Sequence, residues 1–102
     1  MKIEYAGADL EKLCTNEAWL RRKRGDLAKR LPLRIKALEA ARTVGELAAI
    51  DPLGRWHELT ADRPGHWAGK LTDNWRLIMR PEGHANLRQS KHVTVVDITD
   101  YH

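Results

Sequence analysis

Leu27, Leu31, Ile35 and Leu38 recur at steps of four, four and three residues, which places them on one stripe of a helix and leaves the intervening basic residues on the other face. The stripe belongs to a helical first half of the chain. Ahead of it, Lys2-Ile3-Glu4-Tyr5 alternates as a short strand does. Gly7 and Asp9 then supply a turn and an N-cap for a helix carrying Leu10, Leu13 and Cys14. Asn16 or Asp26 is the predicted start of a second helix. Pro32 lies inside the stripe and has no amide hydrogen, so it predicts either a kink or a helix boundary. Thr43-Val44-Gly45-Glu46 has the spacing of a capping box and predicts a helix of one to two turns through Ile50, ended by Pro52 and Gly54.

Near residue 52 the period changes from that of a helix to that of a strand. Strands are predicted over Arg55 to Leu59, His66 to Leu71 and Trp75 to Arg80, separated by a polar turn from Thr60 to Gly65 and a tight Asp73-Asn74 turn, the pattern of antiparallel hairpins. Pro81 to Lys91 reads as a polar loop, and the β-branched run Val93 to Thr99 as the last strand. Regular alternation would put Thr94, Val96 and Ile98 on one face with Asp100 and His102, with Tyr101 on the other. By the same rule Arg76, Ile78 and Arg80 share a face, and His57 shares one with Arg55. Helices followed by hairpins make this an α+β chain.

Composition adds three constraints. The 102 residues suit one domain, 1–102, with enough material to bury a core without metal or disulfide staples. The one cysteine, Cys14, cannot form an internal disulfide, and its helical spacing with Leu10, Leu13 and Leu20 marks it as a small buried hydrophobe rather than a nucleophile. No signal-like segment is visible and the longest wholly apolar run, Leu47 to Ile50, is far too short to span a bilayer, so a cytoplasmic protein with no membrane partner is expected. The net charge is +4, and it is unevenly spread. Residues 21 to 36 hold Arg21, Arg22, Lys23, Arg24, Lys29, Arg30, Arg34 and Lys36 against Asp26 alone, a face suited to a polyanion.

The candidate chemistry is metal-free. Five histidines are present, but no His-x-x-x-His on a helix and no Cys-x-x-Cys pair, so no metal site and no cofactor is expected. No Gly-rich phosphate loop or Gly-x-Ser-x-Gly elbow supports nucleotide or acyl hydrolysis. What remains is His57, Arg76, Arg80, Asp100, Tyr101 and His102. RNA carries its own nucleophile in the 2′-hydroxyl, so its cleavage needs a base for that proton, cations for the scissile phosphate and an acid for the leaving 5′-oxygen. Histidine, with an ordinary pKa of about 6.5, serves either proton role, and arginine matches phosphate oxygens with its forked donors. Trp67 and Trp75 read as packing residues before base platforms.

Four motifs then fall in order: Trp56-His57-Glu58-Leu59, Asp62-Arg63-Pro64-Gly65-His66-Trp67, Asn74-Trp75-Arg76-Leu77-Ile78 and the final Asp100-Tyr101-His102. Together they resemble the HigB branch of the RelE/ParE toxin superfamily, the toxin halves of type II toxin–antitoxin modules. The resemblance implies helices packed on one face of a twisted, mainly antiparallel sheet and metal-free mRNA cleavage on the ribosome. It also implies a HigA-like helix-turn-helix antitoxin as partner, in a toxin–antitoxin hetero-oligomer able to bind operator DNA. It assigns catalytic roles to His57, Asp100, Tyr101 and His102 and phosphate binding to Arg76: Asp100 orients, Tyr101 stacks or donates, His102 exchanges protons. Where studied members carry a catalytic lysine three residues after the motif histidine, this chain has Thr60, so the expectation is either that Lys70, Arg80 or Lys91 compensates or that the protein is a weak nuclease. Arg21, Arg22, Lys23 and Arg24 are the expected RNA-binding cluster on the helices. Two alternatives stand beside the nuclease: a ParE-like toxin that inhibits gyrase, and an inactive homologue that binds antitoxin and nucleic acid.

Overall fold

The structure is a computed structural model and describes residues 1–100. Its elements run β1 (Lys2–Tyr5), α1 (Ala8–Thr15), α2 (Glu17–Lys23), α3 (Leu31–Ala40), α4 (Leu47–Ile50), β2 (His57–Glu58), β3 (Trp67–Lys70), β4 (Trp75–Glu82) and β5 (His92–Asp100). The strands form a five-stranded sheet in the order β1-β5-β4-β3-β2, parallel between β1 and β5 and antiparallel elsewhere. The mixed α+β class expected from the sequence is the one observed. No helix among the described residues is long and apolar enough to cross a membrane.

Helices cover one face of the sheet. Leu27, Leu31, Ile35 and Leu38 are all buried and meet Trp67, Leu77, Met79, Val93 and Val95 from the strands. Pro32 is a boundary rather than a kink, because it occupies the first turn of α3, where its missing N–H leaves no bond unmade. Asn16 caps α2, its side chain accepting from the Trp19 amide at 3.0 Å. Thr43 makes no side-chain cap; Glu46 turns back instead to the Arg42 amide and guanidinium, each at 3.1 Å. Cys14 is half-buried and burial pushes its thiol up to about 12, so it stays protonated at neutral pH.

Three features depart from the sequence reading. Arg34 does not belong to the basic face. It is only 3 % exposed, and donates from Nε to the Lys70 carbonyl at 2.6 Å and from Nη1 to Asp51 at 3.1 Å. Asp51 in turn accepts from Trp56 Nε1 at 2.9 Å, and the Trp56 ring lies against Gly69, where an added Cβ would come within 2.6 Å of it. The strand expected from Arg55 is cut to His57–Glu58, because Arg55 takes a left-handed φ of 45° and breaks the alternation that would align it with His57. The expected loop 81–91 is shorter than predicted: β4 continues through Glu82, and Leu87–Gln89 forms a 3-10 turn.

Removing one member of a buried ion pair leaves the other charge stranded. Asp51→Ala should therefore cost about 3 to 5 kcal/mol in urea unfolding, whereas loss of the exposed Arg21–Glu17 pair should change stability by less than about 1 kcal/mol. Equal effects of the two substitutions would show that the buried network does not organise the fold.

Candidate active site

The second face of the sheet, turned away from the helices, carries His57, Lys70, Arg76 and Arg80. Its floor is a small apolar cluster of Leu59, Ala68 and Ile78 with Val96 packed against it. Register fixes what surrounds that floor. His57 on β2 stands opposite Ala68, Ala68 opposite Ile78, and Ile78 opposite Asp97, so one row crosses four strands. The next row on the same face runs Lys70, Arg76, Thr99. With strands about 4.8 Å apart and about 6.8 Å for two residues along a strand, the Cα atoms of His57 and Arg76 lie roughly 12 Å apart. Their side chains can thus converge on one nucleotide step.

The geometry selects the tautomer of a neutral His57. The ring is exposed, and Nδ1 lies 2.9 Å from the Arg55 carbonyl oxygen. A carbonyl only accepts, so Nδ1 carries the hydrogen and the neutral ring presents Nε2 as a proton acceptor. The turn at Arg55 that shortens β2 therefore also orients its histidine. Arg76 is half-buried at the hairpin between β3 and β4, where Nη1 donates to the carbonyls of Thr72, Asp73 and Trp75 at 2.7, 3.2 and 3.0 Å. Carbonyl dipoles orient this guanidinium and leave its positive charge in place.

The other predicted cations differ in what they can offer. Lys70 is in the Arg76 row and pairs at 3.4 Å with the almost fully exposed Asp73. Arg80 shares the face with Arg76 and Ile78, as alternation requires, but its Nε and Nη2 are both taken by Glu82 at 3.2 and 3.1 Å. Glu82 also accepts from Thr94 at 2.9 Å, and Arg80, Thr94 and His92 hold its carboxyl below the usual carboxylate range. Lys91 precedes the opposite end of β5, nine residues from Asp100, or roughly 30 Å of strand. The structure does not bring it to the site. Arg21, Arg22 and Lys23 are exposed at the end of α2, with Arg22 and Lys23 over the Trp19 ring, while Arg24 covers the Trp75 ring at 4.1 Å and pairs with Asp26.

The expected facing of the last strand is corrected. Ile78 pairs with Asp97 but Met79 with Val95, so β5 carries a bulge with Val96 as its extra residue. Beyond it the faces exchange: Asp97 and Thr99 turn to the face of Ile78 and Arg76, while Ile98 and Asp100 stand opposite Leu77 and Trp75 on the helix side. Asp100 therefore shares no face with Thr94, Val96 or Arg76. Tyr101 and His102 lie outside the described residues. Sequence reading gave no role to Arg63, although it stands inside the second motif, and none to Asp97; the two form a 2.7 Å ion pair across this outer face, and the bulge that allows it gave no signal. Among the described residues no three His, Cys, Asp or Glu side chains converge as metal ligands would.

No protein-family model matches the chain and no curated protein matches it. Solved structures do. The YoeB/ParE toxin from Agrobacterium tumefaciens superposes over the whole of both chains with a TM-score of 0.59 at 15 % identity. YafQ from E. coli strain BL21(DE3) gives 0.61 at 16 % identity over 97 % of this chain and 91 % of its own, and the YoeB-YefM complex from Staphylococcus aureus gives 0.60 at 13 % over 100 % and 97 %. The chain has the fold of these toxins. At such identities the likeness concerns the path of the backbone and leaves the chemistry to the side chains just described.

The depressed carboxyl of Glu82 gives a pH test. An acid whose folded pKa is lowered contributes stability above its ordinary value of 4.5, and that contribution is lost as pH falls through the depressed value. Glu82→Gln should therefore flatten the fall of stability below about pH 4.5, read from urea midpoints between pH 6 and 3. An unchanged slope would show that the Arg80–Glu82–Thr94 cluster is loose in solution.

Proposed function

We propose that this protein is the toxin of a type II toxin–antitoxin module and acts as a ribosome-dependent mRNA endoribonuclease of the HigB type. The observation that carries the reading is the outer face itself: His57 with Nε2 as acceptor, and Arg76 and Lys70 one row away, on the fold of the YoeB and YafQ toxins. In this mechanism His57 Nε2 takes the 2′-hydroxyl proton, and Arg76 and Lys70 hold the phosphate as negative charge grows on it. The 2′-oxygen forms its bond to phosphorus, the bond to the 5′-oxygen breaks, and His102 or Tyr101 supplies the proton to that leaving oxygen. Asp100 acts from the helix side of the strand end, beside Trp75, as an orienting group.

The proposed partners are the ribosome with its mRNA and a HigA-like antitoxin. Support for an antitoxin comes from the Staphylococcus aureus neighbour, solved as a YoeB-YefM complex. The proposed ribosomal contact includes the exposed Arg21, Arg22 and Lys23, whose charges suit a polyanion. The setting proposed is the cytoplasm, where both partners would be met.

Single-turnover cleavage on mRNA-programmed ribosomes tests this. Activity is expected to persist in EDTA where ribosomes stay intact, and to stop when a 2′-deoxy nucleotide occupies the scissile position. Arg76→Ala is expected to cost about 2 to 4 kcal/mol of transition-state stabilisation. Deleting Tyr101 and His102 should abolish growth arrest by the induced toxin. Wild-type cleavage by Arg76→Ala would defeat the assignment, and arrest by a folded truncation that cuts no RNA would favour gyrase inhibition.

A further inference from the structure

The ion pair between Arg63 and Asp97 lies on the same outer face and has been given no part in the chemistry so far. Arg63 belongs to the connection between β2 and β3, yet its guanidinium reaches β5, an edge of the row that begins at His57. Asp97 is there only because of the bulge. Without the extra residue Val96, regular alternation would turn Asp97 toward the helices. The bulge thus delivers one acceptor to the outer face, and that acceptor fixes one cation above the apolar floor.

The two arginines outside the Arg76 row are held in different ways. Arg80 gives two nitrogens to the two oxygens of Glu82, a closed fork. Arg63 gives Asp97 a single bond, from Nη2 to Oδ2 at 2.7 Å, and both side chains remain 38 % exposed. One carboxylate oxygen therefore orients the guanidinium through one Nη2 hydrogen, and the second Nη2 hydrogen still forms a forked edge with a neighbouring nitrogen that has no hydrogen-bond partner among the described residues. Such a group is positioned and still able to bind phosphate bidentately.

We propose that Arg63 is a phosphate-contacting residue of this face, and that Asp97 is its positioning residue, set by the β5 bulge. This rests on the nuclease reading for its consequence in catalysis, but the phosphate contact stands apart from whether the bond is cut. It also says why Thr60 is tolerated: the cation on the β2–β3 connection comes from three residues further on, and reaches the face from above rather than along the strand.

Two measurements separate the claims. The first is binding of a fully 2′-O-methylated, uncleavable RNA oligonucleotide to the protein alone across a salt series. Arg63→Met, which keeps an apolar stem over the floor, is expected to weaken binding and to reduce the slope of log K against log salt by about 0.7, one phosphate contact on a single strand. Absence of wild-type binding, or an unchanged slope in Arg63→Met, overturns the proposal whatever the protein cuts. The second is single-turnover cleavage on programmed ribosomes. Arg63→Met should slow it on the order of a hundred-fold, Asp97→Asn should slow it less, and the double variant should be no slower than Arg63→Met alone. Adding Thr60→Lys should restore much of the rate lost in Arg63→Met and none of that lost in Arg76→Ala. If Thr60→Lys restores nothing, or if Asp97→Asn adds fully to Arg63→Met, Arg63 only ties down its loop. A protein that binds RNA through Arg63 but cleaves none with wild-type sequence refutes the nuclease reading and leaves the phosphate contact standing.

Discussion

The buried Arg34 guanidinium is the constraint on which the rest of the molecule depends, because it ties together four segments by directional bonds that apolar packing alone does not supply. It reaches from α3 to the Lys70 carbonyl on β3 and to Asp51 beyond α4, and Asp51 passes the connection to the Trp56 indole just before β2. A charge taken out of water is expensive unless every donor finds a partner, and the cost makes this arrangement sharply preferred over any in which one segment slips. Packing completes it, since the Trp56 ring needs the bare backbone of Gly69 beneath it. The two residues next to this network are His57 and Lys70. Core and candidate site are therefore one construction: the buried network sets β2 against β3, and the pairing of β2 with β3 places His57 relative to Lys70 and Arg76.

The sheet divides its labour by face. Toward the helices it is apolar and closed by the leucines of the α3 stripe. Away from them its apolar floor is small, and its cations are graded by how firmly each is held. Glu82 closes around Arg80, Asp97 holds Arg63 by one bond, and carbonyls cradle Arg76 without discharging it. This grading follows from elementary electrostatics: a carboxylate that takes both arms of a guanidinium occupies its fork, one that takes a single N–H leaves an edge open, and a carbonyl dipole orients with little loss of net charge. A face with several arginines is in this way reduced to a few positions where an anion gains by binding.

Much was legible in the sequence where a local rule decides. The four-four-three spacing of Leu27, Leu31, Ile35 and Leu38 named the buried stripe, Asn16 was one of two residues offered as a helix start, and alternation from Trp75 to Arg80 put Arg76, Ile78 and Arg80 on one face. These hold because helix and strand periods are properties of the backbone. His57 and Arg76 were legible as candidates through motif resemblance, and the register brings them within reach of one nucleotide step.

What only the tertiary structure decided involves contacts between distant segments. Arg34 looks like one more base among eight until its partners at Asp51 and Lys70, 17 and 36 residues away, are in place. The β5 bulge is invisible in Val93 to Thr99, because an extra residue in a ladder is defined by the partner strand, and it reverses the facing of residues Asp97 to Asp100. The pairing of Arg63 with Asp97 consequently carried no signal, although Arg63 stood in one of the motifs, because the two are 34 residues apart and brought together by that reversal. Periodicity assigns a residue to a face only while its own strand stays regular; register with the neighbouring strand decides where the regularity ends.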